Sequence, residues 1–166
     1  MTLFSGWRSC LVLFLAILFF DILSKEWVSQ IASEPEIPSP FPYPVIENFF
    51  GIQLQITHAI NSGAAWGVLD GFPGVLVLVR LLLISALIIY LVGVNHRPHW
   101  NAPLTCIIAG AIGNVIDYFH YGYVIDMIQF RFWGYDYPIF NLADSAIFIG
   151  SFWILCSAMT EKSTAS

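Results

Sequence analysis

Four stretches of the chain stay apolar for long enough to cross a lipid bilayer as helices, which takes roughly 20 residues each. They cover residues 10–28, 74–93, 102–118 and 140–159. Two long connections interrupt them, 29–73 and 119–139. Residues 34–44 hold five prolines, so no helix runs through that part. Residues 49–56 then alternate apolar and polar positions around Gly51, which predicts a strand. The small residues Ala109, Gly110, Ala111 and Gly113 let helix backbones approach closely in the third span. The pattern predicts an all-α membrane fold over residues 1–166. It is a four-helix bundle in one domain, with a small β-sheet cradle in the external loop.

The first run has a second reading, as a cleaved leader. Arg8 would be its basic flank, residues 11–20 its apolar part and Ile31-Ala32-Ser33 its cleavage site. Asp21 and Lys25 interrupt it, which favours a retained span.

Composition agrees with lipid as the solvent. Of 166 residues, 58% are hydrophobic and only 10% charged, against about 25% charged in soluble domains. The net charge of −5 argues against a nucleic-acid partner. Arg8, Arg97 and Lys162 fall on one side of a four-span bundle and Lys25 and Arg131 on the other. This bias favours cytoplasmic termini and an external 29–72 loop. Cys10, Cys106 and Cys156 map to the cytoplasmic ends of their spans and read as small buried hydrophobes, not as a disulfide framework.

The polar residues within the spans gather at one depth. Asp21 and Lys25 lie at the outer end of the first span, and Asn114 and Asp117 at the outer end of the third. Asn141 and Asp144 open the fourth, with Asp126 in the loop before it. Arg80, in the second span, reads as neutralising one of the acids. Ionisable groups in lipid are costly and mark functional sites. At one depth they are tolerated only if they face each other, so one polar pocket at the outer face is expected. Bland roles compete for each residue: an i,i+4 ion pair for Asp21 and Lys25, a helix N-cap for Asn141, inter-span hydrogen bonds for Asn114 and Asp117.

Asp126 and Asp144 approach this pocket from a loop and a helix. Two carboxylates in one low-dielectric site share a proton. The ionised member can take a proton from water while the other donates to a carbonyl, which hydrolyses a peptide bond without metal or cofactor. A proton or cation relay and a metal-dependent hydrolase are the competing readings. The first must cross the membrane. The second lacks a histidine at ligand spacing near the acids.

Five segments now carry a family resemblance. They are Asp21-Ile-Leu-Ser-Lys25, Asn61-Ser-Gly63-Ala-Ala-Trp-Gly67, Gly110-Ala-Ile-Gly-Asn114-Val-Ile-Asp117, Val124-Ile-Asp126 and Phe140-Asn141-Leu-Ala143-Asp144. In this order they resemble the bacterial type II signal peptidases over nearly the whole chain. The resemblance implies a membrane aspartyl endopeptidase of the cytoplasmic (inner) membrane, acting at the external face. It would cut diacylglyceryl-modified prolipoproteins just before the lipidated cysteine, without a cofactor, as a monomer in contact with membrane lipid. Globomycin-type compounds would inhibit it. The catalytic pair would be Asp126 and Asp144. Asp21, Lys25, Asn61, Gly63, Asn114, Asp117, Asn141 and Ala143 would shape or support the site. The family usually has Arg after the position of Asp117, where this chain has Tyr118. His120 or Arg131 is the expected substitute for that charge.

Overall fold

The computed structural model describes residues 3–33, 40–62 and 73–164. Helix α1 spans Leu3–Ser33, α2 Pro73–Ile89, α3 Asn101–Tyr121 and α4 Leu142–Thr164. Strands β1 (Tyr43–Phe49), β2 (Ile52–Asn61), β3 (Val124–Phe132) and β4 (Tyr135–Asp136) form one antiparallel sheet in that order. Four helical segments, Gly6–Ser33, Gly74–Val94, Pro98–Tyr121 and Leu142–Glu161, are long and apolar enough to cross a membrane.

Helix α1 is a single helix five residues longer than expected at its C-terminal end. Its buried residues Asp21, Lys25 and Val28 recur at helical spacing on one face. Phe19, Phe20, Leu23 and Trp27 on the other faces are exposed, as lipid-facing residues must be. Helix α3 is the most enclosed. Leu104, Cys106, Ile108, Ala109, Gly110, Gly113, Val115 and Asp117 are all buried.

Glycine lets α3 approach its neighbours. A Cβ on Gly110 would collide with the Ala143 carbonyl of α4, and one on Gly113 would lie 2.6 Å from Asp21 Oδ2 of α1. α3 ends at Gly122, whose φ of 83° and N–H donated to the Tyr118 carbonyl close the helix. The chain then turns directly into β3.

Two expectations need correction. Gly51 does not sit inside a strand. With Phe50 it makes the β1–β2 turn, at φ values of 85° and 52°, because only a left-handed pair joins the strands tightly here. Residues 119–139 are not a loop either. Their centre is β3, one of the sheet's two inner strands, so Asp126 stands on a strand. The cradle therefore draws on both long connections, 29–73 and 119–139.

At the opposite end, Arg97 and His99, in the connection to α3, both meet Glu161 of α4, at 2.7 and 2.6 Å. The Arg97 guanidinium lies 4.6 Å from the Trp100 ring.

Candidate active site

At the centre of the bundle, Lys25 is fully buried and its ammonium has three partners. It lies 2.7 Å from Asp21 Oδ2 and 2.7 Å from Asp117 Oδ2, and donates to Asn114 Oδ1 at 3.1 Å. That exhausts its three N–H donors. The i,i+4 pair expected from spacing is present, but it is part of a three-helix junction. Lys25 is the counter-charge for Asp21 and Asp117. Arg80 lies partly buried on α2.

Each acid uses its second contact to fix a backbone segment. Asp21 Oδ1 accepts the Ala143 N–H at 2.9 Å, one of the donors left open at the start of α4. Asp117 accepts the Ile125 N–H at 3.3 Å, next to Asp126. Ala143 is fully buried against Gly110 and Gly113, where a larger side chain has no room.

Two asparagines join this frame to Asp126 and Asp144. Asn114 Nδ2 donates to Asp144 Oδ1 at 2.8 Å. Asn141 caps α4: its Oδ1 accepts the Asp144 N–H at 2.8 Å, and its own N–H points back to Asp144 Oδ2 at 3.4 Å. This is a capping box with Asp in the third position. The Asn141 amide also reaches Asp126 Oδ1 at 2.8 Å, Asn114 Oδ1 at 3.1 Å and the Ile125 carbonyl at 3.3 Å. One residue therefore touches both carboxylates.

The sheet delivers Asp126 to this point. A bulge in β2 sets Ile56 opposite Ile128 and Ala59 opposite Asp126. Asn61 then lies two positions along on the same face, and its Nδ2 donates to Asp126 Oδ2 at 2.9 Å. Phe140 bridges to Ile128 by paired backbone bonds of 2.8 and 3.1 Å, which holds the start of α4 against β3.

The two carboxylates sit in different surroundings. Asp126 is only 3% exposed. Burial lifts its carboxyl to about 6; the Asn61 hydrogen bond works against this, the Asp144 charge adds to it, and Asn141 and Lys25 oppose it. Asp144 is partly exposed on the wall of a cavity of about 460 Å³. The rest of that wall is mostly apolar: Phe130, Phe132, Tyr137, Phe140 and the exposed Phe148 and Ile149 of α4. Sequence reasoning missed this wall. The signal was present in positions 126, 128, 130 and 132, which share one face of a strand.

The structure thus brings Asp21, Lys25, Asn61, Asn114, Asp117, Asp126, Asn141, Ala143 and Asp144 into one network. Gly63 lies outside the described residues. The Arg131 expectation is wrong. Its guanidinium is held by Asp136 at 2.6 and 2.9 Å, near the far end of β3, roughly 16 Å from Asp126 at 3.3 Å per residue. His120 is nearer, bordering a small pocket with Lys25 and Asp117. Tyr118 is half-buried and meets Phe119 edge-on.

Comparison with known proteins agrees with this arrangement. A lipoprotein signal peptidase of Staphylococcus haemolyticus is 31% identical over 155 residues, covering 93% of this chain and 92% of that one. One of Clostridium acetobutylicum is 36% identical over 139 residues, covering 81% and 82%. Two solved bacterial membrane enzymes superimpose with TM-scores of 0.78 and 0.72, at 26% and 27% identity. They cover 96% and 91% of this chain and 92% of each of theirs. The sequence model of the family described as Signal peptidase (SPase) II matches residues 13–160, and the chain belongs to that family of aspartic peptidases.

Proposed function

We propose that this chain removes signal peptides from prolipoproteins by water attack at a carboxylate pair formed by Asp126 and Asp144. Family membership makes it a lipoprotein signal peptidase. The observation that carries the residue assignment is Asn141, which hydrogen-bonds to both carboxylates. Two acids held by one residue in a largely buried site cannot both ionise easily. The reaction uses one ionised and one protonated member of this pair.

The ionised member takes a proton from water as the oxygen attacks the scissile carbonyl. The protonated member donates to the carbonyl oxygen as it becomes tetrahedral. Return of a proton to the leaving nitrogen breaks the C–N bond. Asn61, Asn114 and Asn141 fix the orientation of the acids. Asp21, Lys25 and Asp117 act from behind: they pin α1, α3, α4 and the start of β3 to one another.

The substrate reading follows from the site's position. A signal peptide is an apolar helix, and the cavity beside Asp144 has exposed α4 residues in its wall. A substrate whose cysteine carries a diacylglyceryl group would present its scissile bond to the acids with its chains on the lipid side. Arg97, His99 and Glu161 mark the end opposite the acids, which supports cytoplasmic termini and an external site in the bacterial inner membrane.

Cleavage of a diacylglyceryl-modified prolipoprotein by the purified chain in detergent, with EDTA present, tests this. The lipidated substrate should be cut before its modified cysteine and its unlipidated form much more slowly. Equal cleavage of both forms would contradict the lipid requirement. Loss of activity with EDTA would contradict the carboxylate mechanism.

A further inference from the structure

Both hairpin turns of the cradle share an anomaly. The β1–β2 turn runs through Phe50 and Gly51, with φ of 52° and 85°. The β3–β4 turn runs through Trp133 and Gly134, with φ of 48° and 89°. Two successive positive φ angles make a turn whose first position usually holds Asn, Asp or Gly. A bulky aromatic is strained there. The chain places one there twice, in turns more than 80 residues apart.

Both choices put a ring on the surface. Phe50 is 84% exposed and Trp133 76%. The turns lie side by side, with the Trp133 N–H donated to the Gly51 carbonyl at 2.8 Å. Exposed Phe49 and Tyr135 flank them. The Arg131–Asp136 ion pair stands just behind.

The patch continues into the surface that faces lipid. Ring centroids follow from Phe140 to Phe130 at 6.1 Å, to Phe132 at 5.6 Å and to Trp133 at 6.4 Å. Phe130, Phe132 and Phe140 share the cavity wall with Phe148 and Ile149, which are exposed on α4. In a multi-pass chain those α4 side chains meet acyl chains. Aromatic rings with a charged pair set behind them suit the headgroup level of a bilayer.

We propose that the paired hairpin tips insert Phe50 and Trp133 into the interfacial layer of the membrane and so anchor the cradle to it. The strands they terminate carry Asn61 and Asp126, while α4 carries Asp144. Anchoring holds the two parts of the site at one depth; this consequence rests on the peptidase reading, whereas the lipid contact stands apart from it.

The test places the full chain and its Trp133→Phe variant in phosphatidylcholine vesicles with bromine at stepped depths on the acyl chains. The difference in fluorescence isolates Trp133. It should be quenched most by the shallowest bromines and shielded from acrylamide in the water. Quenching by acrylamide alone would overturn the proposal, as would shielding from both, which would mean that protein covers the tip. A second variant, Phe50→Asn with Trp133→Asn, gives both turns their favoured residue. It should keep or raise heat resistance in detergent, keep cleavage there, and lose cleavage of a vesicle-embedded prolipoprotein. Lower heat resistance would make the rings structural, and unchanged cleavage in vesicles would remove the anchor's role. If the parent chain cuts no prolipoprotein at all, the peptidase reading fails while the quenching result still decides the lipid contact.

Discussion

Lys25 shows what a buried charge does in this fold. Its ammonium neutralises Asp21 and Asp117 and has no donor to spare. Removing one partner from a buried ion cluster costs about 3–5 kcal/mol, whereas replacing the whole cluster by neutral groups costs far less. Lys25→Met should therefore destabilise strongly in detergent, and adding Asp21→Asn and Asp117→Asn should recover much of the loss. Thermal unfolding of the single and triple variants checks this. Asp126 behaves in the opposite sense. Its carboxyl is raised from 3.8 to about 6 by burial, which corresponds to about 3 kcal/mol against the ionised folded state. That penalty is complete above pH 6 and fades as the pH falls towards 3.8. Asp126→Asn should thus raise the melting temperature at pH 8 and leave it nearly unchanged at pH 4. A loss of stability at pH 8 would contradict the assigned burial. The identities of these residues were legible in the sequence, because charged groups inside apolar runs stand out. Their pairing was only partly so. Lys25 with Asp21 follows from helical spacing, but Lys25 with Asp117 needs the crossing of α1 and α3.

Among the elements, α3 sets the distances. Gly113 leaves room for the Asp21 carboxylate, which in turn holds the Ala143 N–H and hence the first turn of α4. Gly113→Ala would place a methyl 2.6 Å from Asp21 Oδ2. Overpacking of this kind costs about 1–3 kcal/mol. It should also slow cleavage, because α4 carries Asp144; the variant's melting temperature and turnover check both. The helices were legible from hydrophobic runs, and the small residues of α3 from their spacing. Strand β3 was not. Buried Ile125 and Met127 lie on one of its faces, and Ile128, Phe130 and Phe132 on the other. Residues 128–132 do alternate apolar and polar, but Val124, Ile125 and Met127 are apolar around Asp126 and break the alternation in the strand's first half. The β1–β2 turn was hidden because Phe50 occupies a position where Asn would have announced it.

At the scale of the whole molecule, a membrane bundle meets a sheet built from both long connections, and the candidate site lies at their junction. Asp126 comes from the sheet and Asp144 from the bundle. Among the described residues, every buried charged side chain, Asp21, Lys25, Asp117 and Asp126, belongs to this one network. A relay across the bilayer would need such groups at the other end as well. The Arg131 substitution failed for a reason visible only here, since β3 carries that residue away from the junction. The central claim is that both carboxylates perform the hydrolysis. It is tested most directly by measuring turnover of a lipidated prolipoprotein by Asp126→Asn and Asp144→Asn, each with its thermal unfolding recorded. Each variant should stay folded and lose roughly 10²–10⁴-fold in turnover. A folded variant of either residue that cleaves at the parental rate would contradict the account.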